Sequence, residues 1–332
     1  MFNRLGHLIV RRPRTVLALT AIGLIVAVVL GSGVFGALTN GGFDDPASES
    51  TLALEALDEE FDTGGADLVA IVTAVGGNVD APAVVAAGTA LTEEFAALEG
   101  TDDVVSYWSL GSPAPLRSSD GDRALILMRF PGEEEDPARV EAIETVLDEY
   151  AGVERDGITV GLAGREPVFA AIGETIEGDL KRAEAIAVPL TLLLLLFVFG
   201  GLVAAGLPVL VGIVSVFGAF FILWVVTQFA NVSIFSINLV TALGLGLAID
   251  YSLFIVSRFR EERAAGRTVD DAIVRTVETA GRTVAFSAVT VAISLSALLI
   301  FPLYFLRSFA YGGIGVLVVA MVVSVVSLPA LL

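Results

Sequence analysis

From Ala185 to Ser257 the chain runs for 73 residues with a single charged side chain, Asp250. A helix needs about 20 apolar residues to cross a hydrocarbon core of roughly 30 Å, so a stretch of this length and hydropathy reads as consecutive membrane spans rather than a buried soluble core. Comparable apolar runs cover Thr15 to Leu38, Ala185 to Val203, Leu207 to Phe229, Ser236 to Ser257, Thr283 to Phe301 and Ser308 to Leu332. Six spans are predicted. The composition agrees, with 55% hydrophobic residues, 17% charged residues and a mean hydropathy of +0.82, too apolar for a chain with an ordinary wet surface. Gly200-Gly201 and Pro208 predict a tight helix-to-helix return between the second and third spans.

The first apolar run is too long for a signal-peptide core and lacks an A-x-A-like cleavage site, so it reads as a retained span. Arg4, Arg11, Arg12 and Arg14 precede it, and Arg258, Arg260, Arg263, Arg267, Arg275 and Arg282 follow the fourth span. Counting spans puts both clusters on one side, and basic loops mark that side as cytoplasmic. The short connections around Asn231 and Tyr304 then lie outside with the long segment Thr39 to Ala183. That segment carries 31 Asp plus Glu against 8 Lys plus Arg, a balance of −23 within a chain of net charge −19. Such acidity gives nucleic acid nothing to bind. There is no cysteine, so disulfides and thiolate chemistry are excluded.

The acidic segment alternates strand-like and helix-like patterns. Asp67 to Ala74, Val104 to Leu110, Ala124 to Phe130 and Ile158 to Leu162 are β-like, while Ala81 to Leu98 and Pro137 to Tyr150 are helix-like. The order β-α-β-β-α-β is the split βαβ, ferredoxin-like pattern. A further helical stretch, Glu166 to Arg182, leads toward the second span. The predicted fold class is thus an α-helical polytopic membrane protein (six transmembrane helices) with an α+β ferredoxin-like extracytoplasmic domain inserted between helices 1 and 2. The predicted divisions are 1–38, a basic arm and first span; 39–183, the outer domain; and 184–332, the remaining spans. Between spans four and five, residues 268–282 place Val269, Ala272, Ile273, Thr276, Val277 and Ala280 at helical spacing, which predicts an amphipathic helix along the cytoplasmic interface or an ordinary linking helix.

An ionised carboxylate at a span's centre costs about 2.5 to 3.5 kcal/mol on insertion scales, so Asp250 marks a proton relay, an ion path or a buried partner. Tyr251 follows it directly, able to hydrogen-bond within a relay or merely to pack. Gly244 and Gly246 stand one turn earlier and permit close helix approach. On the fifth span Ser287, Thr290 and Ser294 recur at helical spacing; they extend the relay, or donate to their own backbone carbonyls. Arg258, about 12 Å further along the helix, reads as a rim anchor. His7 reads as a surface residue of the basic arm. The acidic run Glu133, Glu134, Glu135 and Asp136 lacks the alternating ligands and central Gly of a calcium loop, and Asp136-Pro137 fits a helix start. No metal or cofactor is expected.

One span, an extracytoplasmic βαββαβ insert and five further spans resemble the half-repeat of the resistance-nodulation-division (RND) superfamily. The run Gly246-Leu-Ala-Ile-Asp250-Tyr251-Ser-Leu-Phe-Ile-Val-Ser-Arg258-Phe-Arg260-Glu261-Glu262 is similar to the fourth-span motif of its MMPL (mycobacterial membrane protein large) branch, and Ser327-Leu-Pro329-Ala-Leu-Leu332 resembles the end of that branch's sixth span. The resemblance implies export of lipids or other hydrophobic molecules across the cytoplasmic membrane, driven by protons, with no enzymatic step. It also implies a second half carrying an equivalent Asp-Tyr pair, supplied by the same longer chain or by a homodimer, with a homotrimer as a higher assembly. The end at Leu332, without flanking residues after the span, favours an N-terminal portion of a longer protein. Expected partners are the hydrophobic cargo, protons, membrane lipids and that second half. Two other classes stay open: a non-transporting lipid or sterol sensor, and an RND-type protein-export accessory. An intramembrane aspartyl protease would need a second carboxylate.

Overall fold

The computed structural model describes residues 1–39, 41–61, 65–132 and 136–332. The chain forms two compact units, Met1–Phe43 with Glu177–Leu332, and Asp44–Ile176.

Helix α1 spans Phe2–Arg11 and helix α2 Pro13–Gly31, continued by a 3₁₀ segment, Ser32–Gly36. The break between them has a local cause: Arg12 precedes Pro13, whose ring drives it out of the helical region to φ −136°, ψ 51°. Pro13 then opens α2, where its missing N–H is no loss. The basic arm of the sequence is therefore a helix. Its two-sided pattern, with Ile9 buried and Arg4 and Arg11 outward, was the available signal.

The second unit opens with helix α3, Glu49–Phe61, which the pattern reading did not anticipate. Then come β1 (Leu68–Ala74), α4 (Pro82–Ala96), β2 (Asp103–Ser106), β3 (Arg123–Arg129), α5 (Pro137–Tyr150), β4 (Glu154–Arg155) and β5 (Ile158–Gly164). The antiparallel sheet has the order β2-β3-β1-β5-β4. Alternate residues of β1 point inward, and register pairs Ala70 with Ile126 and Leu162. Leu68, Ala70, Val72, Ile126, Met128 and Val160 pack against Leu91 and Phe95 of α4 and Ile143 and Val146 of α5.

Two departures from the expected strands are instructive. Strand β2 stops at Ser106 instead of reaching Leu110, because Ser106 and Ser109 satisfy each other's backbone: Ser106 N–H donates to Ser109 Oγ at 2.8 Å and Ser109 N–H to Ser106 Oγ at 3.1 Å. Strand β4 is an addition. Asp156 and Gly157, at φ 50° and 79°, make a two-residue hairpin turn into β5, and the Asp-Gly pair is the usual sequence mark of that turn. Asp136 caps α5 by accepting from Ala138 N–H at 2.9 Å, as the Asp-Pro start predicts; Glu133 to Glu135 lie outside the described residues.

One polar cluster couples α4, α5 and β4. Arg155 binds both carboxylate oxygens of Glu94, and Tyr150 O–H donates to Glu94 Oε1 at 2.8 Å. The Arg155 hydrogen bond holds Glu94 below the usual carboxylate range, while burial, then Glu94 itself, push Tyr150 up to about 12. The signs give a two-sided prediction. A depressed carboxylate contributes stability above its unfolded value and loses it as pH falls through the folded one. A raised tyrosine contributes below its unfolded value and loses it between pH 10 and about 12. Hydrogen exchange of α4 and α5 is therefore expected to quicken at both limits, and a Tyr150→Phe variant is expected to lose the alkaline step and, because its hydroxyl also helps hold Glu94 down, to shrink the acid one.

Helix α6 runs Arg165–Phe199, α7 Leu202–Thr227, α8 Ser236–Ala264, α9 Val269–Thr276, α10 Arg282–Ser296, α11 Tyr304–Val322 and α12 Leu328–Leu331. Gly200, at φ 67°, closes α6 by donating to Leu196 O at 2.8 Å, a left-handed cap that favours glycine. Pro208 is not part of that turn; it lies inside α7. Among the described residues five helices are long and apolar enough to cross a membrane: Pro13–Gly36, Ala204–Thr227, Ser236–Ala264, Val269–Ile300 and Tyr304–Leu331. The predicted span Ala185 to Val203 falls chiefly on the end of α6 and is not among the five.

Residues 268–282 do not form a separate helix. Thr268 caps α9 through Asp271 N–H at 3.2 Å, and α9 passes through a π-helical segment, Val277–Gly281, straight into α10. The apolar face of α9 is covered by protein: a Cβ on Gly6 of α1 would lie 2.9 Å from Val274 Cα. At the bundle's centre, α11 presents three glycines to three neighbours. Gly312 faces Val240 of α8, Gly313 faces Leu295 of α10, and Gly315 faces Ile222 of α7. Small residues at these crossings let the backbones approach.

The far end of the first span is tied down within the same unit. Thr39 N–H donates to Val232 O at 3.0 Å, Ile234 N–H donates to Thr39 O at 2.9 Å, and Thr39 Oγ1 donates to Tyr304 Oη at 3.1 Å. The connections near Asn231 and Tyr304 thus meet the end of the first span, as span counting requires.

Candidate functional site

Asp250 sits midway along α8. Successive helical residues turn by about 100°, so its neighbours on a face are four residues away, not the next in sequence. The inward face of α8 carries Val240, Gly244, Ala248, Tyr251, Ser252, Ile255 and Val256. The outward face carries Ala242, Gly246, Asp250 and Phe254, all exposed within this chain. The acid and the tyrosine therefore separate: Asp250 points out of the bundle, and Tyr251, 4% exposed, points in.

The two glycines separate in the same way. A Cβ on Gly244 would lie 2.7 Å from Val316 Cγ2 and 2.9 Å from Val216 Cγ2, so Gly244 seats α8 against α11 and α7. A Cβ on Gly246 would meet nothing within 4 Å. Gly246 belongs to the open face with Asp250. Beside it a shallow apolar groove of about 290 Å³ is lined by Ala187, Thr191, Val209, Ala242, Gly246 and Ile249.

Tyr251 O–H is buried without a hydrogen-bond partner among the described residues, and so is the hydroxyl of Ser252 beside it. Ser287 of α10 makes no described hydrogen bond to the Tyr251 hydroxyl. Thr290 Oγ1 donates to Phe286 O at 2.9 Å, the ordinary fate of a helical hydroxyl. Ser287, Thr290 and Ser294 are all exposed on α10, alongside Phe286, Val289 and Ile293. No described hydrogen bond joins any of the three to Asp250. The structure thus leaves Thr290 bonded to its own helix and gives Ser287 and Ser294 no described partner.

Sequence reasoning passed over Ser252, because serine inside an apolar span is common; only its complete burial beside Tyr251 sets it apart. One turn beyond Asp250, a second groove of about 580 Å³ opens between α8 and the π-helical segment, lined by Phe254, Ser257, Arg258, Glu261, Thr279 and Thr283. At its end Arg258 pairs with Glu261 at 2.9 Å and with the buried Glu262, which also holds Arg267 at 2.6 Å. Arg258 thus has its own acids a turn further along α8.

The fold has solved counterparts. A heavy metal efflux pump matches with a TM-score of 0.53 at 17% identity, over 81% of this chain and 35% of that one. SecDF, a translocon-associated membrane protein from Thermus thermophilus, matches with a TM-score of 0.52 at 16% identity, over 97% and 37%. The chain shares the fold of these proteins.

Within that class, the MMPL family model matches residues 42–332, and the chain belongs to the MMPL family. It is a multi-pass membrane protein of a transporter family. A membrane protein of Streptomyces coelicolor is 38% identical over all of this chain and 46% of its own length. The trehalose monomycolate exporter MmpL3 of Mycobacterium tuberculosis is 38% identical over 94% of this chain and 34% of its length. The heme uptake protein MmpL11 of the same organism is 29% identical over 94% and 32%. The chain therefore spans less than half the length of these relatives.

Proposed function

We propose that this chain forms one half of a proton-driven exporter of lipidic molecules, in which Asp250 takes up and releases the coupled proton. The observation that carries the reading is the direction of Asp250: a lone carboxylate on the uncovered face of a membrane helix, which lipid would penalise and a second helical bundle would receive. In this reading Ala185 to Val203 completes six spans, residues 39–183 form the ferredoxin-like outer domain, and the arginine clusters face the cytoplasm. The sheet order β2-β3-β1-β5 and the covering helices α4 and α5 support the ferredoxin-like assignment.

Each residue has a stated part. Gly246 lets the second half approach Asp250. The Asp-Tyr pair acts across a helix rather than side by side, with Tyr251 passing changes at Asp250 to Ser287 and thus to α10. The groove between Phe254, Ser257 and Thr283 supports a wet path from Asp250 toward the Arg258 end. A proton falling through 150 to 200 mV supplies roughly 3.5 to 4.5 kcal/mol. Full exposure of a sixteen-carbon chain would cost on the order of 12 kcal/mol, so the cargo must stay shielded on its way to the outer domain.

The test is transfer of a labelled lipid from liposomes containing the intact protein, with and without an imposed pH gradient. Transfer is expected only with the gradient. Binding of the lipid without gradient-dependent movement would instead make the protein a sensor.

A further inference from the structure

The unit Met1–Phe43 with Glu177–Leu332 has a second feature, at the end of α2 remote from Thr39 and unconnected with Asp250. A groove of about 710 Å³ lies where α1 turns into α2, lined by Arg4, His7, Leu8, Arg11, Arg12, Val16 and Leu19 among others. Its composition is divided. The α1 side and the Arg12 corner carry three guanidiniums and an imidazole; the α2 side, at the start of the apolar run, carries Val16 and Leu19.

Those guanidiniums are unusual in having no acid to answer them. The first 43 residues contain no Asp or Glu, and Arg4, Arg11 and Arg12 make no ion pair with any described residue. By contrast Arg258 in the last turns of α8, and Arg267 and Arg275 after it, are each paired with a glutamate. Leu8 of α1 and Leu19 in the second turn of α2 are 52% and 65% exposed, so the apolar half of the groove is uncovered within this chain. The helix α1 cannot swing away to hide them, because Gly6 and Ile9 are buried against the rest of the bundle and Gly6 touches the α9 backbone.

We infer that this groove binds one anionic phospholipid, its phosphodiester held by Arg4, Arg11 and Arg12 and an acyl chain lying along Val16 and Leu19. The charge fits: guanidiniums present forked donors that match phosphate oxygens, and no carboxylate of this segment competes. The spacing fits as well. Leu19 lies about 10 Å along the helix from Arg12, so head and chain sites follow each other along the direction a lipid takes in a leaflet. A soluble phosphate would use the arginines alone and leave the apolar half of the groove empty.

The experiment uses the intact protein in detergent, stripped of lipid, with phosphatidylglycerol, phosphatidylcholine or inorganic phosphate added, and bound lipid counted by native mass spectrometry. The wild type is expected to retain phosphatidylglycerol in preference to phosphatidylcholine, and inorganic phosphate at the same concentration is expected not to displace it. An Arg11→Gln/Arg12→Gln variant is expected to retain it about thirtyfold less well, equivalent to roughly 2 kcal/mol, whereas Arg123→Gln on β3 should change nothing. Since neither arginine supports another described residue, the double variant should elute and melt as the wild type does. Equal phosphatidylglycerol retention by wild type and double variant, equal retention of the two lipids, or displacement by inorganic phosphate would each overturn the inference.

Discussion

Replacing Asp250 with Asn is expected to reduce gradient-driven lipid export to the level of protein-free liposomes while leaving the protein folded and inserted. The two halves of that expectation have separate causes. Asp250 is exposed on α8 and makes no hydrogen bond or ion pair with any described residue, so its removal breaks no contact within this chain. A neutral amide at a span's centre also escapes the penalty of about 2.5 to 3.5 kcal/mol on a charged one, so insertion is eased rather than impaired. Only proton exchange is lost. Asp250→Glu, which keeps a titrating group on the same open face, is expected to retain part of the activity. Full export by the Asn variant, measured beside wild type in the same liposome assay, would remove Asp250 from the mechanism; export lost together with a lowered melting temperature would make it a structural residue.

The second large effect is expected in the sheet-bearing unit. Arg139, 7% exposed on α5, binds Asp67 Oδ1 at 2.9 Å and lies 3.5 Å from Glu166 at the start of α6. Asp67 in turn accepts the Phe130 N–H at 2.8 Å, so one guanidinium joins α5, the entry of β1, the end of β3 and the first turn of α6. Arg139→Ala leaves two half-buried carboxylates facing each other without their cation. Removing one member of such a pair typically costs about 3 to 5 kcal/mol, which lowers the melting temperature of a unit this size by on the order of 10 °C. Trp108, whose indole N–H donates to Val79 O at 3.2 Å inside the same unit, reports the transition by fluorescence. Asp67→Asn in the Arg139→Ala background should recover part of the loss, because it removes one of the stranded charges. An Arg139→Ala protein that melts within a degree or two of wild type would show the contact to be solvent-screened.

The legible parts of the fold were those set by local chemistry. Apolar runs of membrane length located the candidate spans, with residues 185–203 still resting on composition. Alternation placed β1, β3 and β5, Asp136-Pro137 marked the start of α5, and Gly200 marked the end of α6. Two misses also had local signals that were not used: Asp156-Gly157 announces the β4-β5 hairpin, and the two-sided pattern of Phe2 to Arg11 announces a docked helix. Pro208 misled because a proline in the second turn of a helix looks, in sequence, like one that closes a turn. Residues 268–282 were left between two readings because their apolar stripe has the same period whether it meets a membrane surface or, as here, α1 and α8.

The candidate site divides along the same line. Chain chemistry alone singled out Asp250, since one carboxylate among 73 otherwise uncharged residues is conspicuous in any arrangement. It could not say which way that carboxylate points. Asp250 and Tyr251 are adjacent in sequence, yet the bundle buries the tyrosine and leaves the acid bare, and the same packing buries Gly244 against α7 and α11 while exposing Gly246. Likewise Arg11 and Arg258 look alike as basic residues flanking spans, and only the folded bundle gives one a pair of glutamates and the other an open groove. The order of residues determined what is soluble in oil and where charge is tolerated, because those are properties of the side chains themselves. Direction and partnership came from the helices that pack around them, because a helical residue acquires an inside and an outside only when neighbours occupy one of its faces.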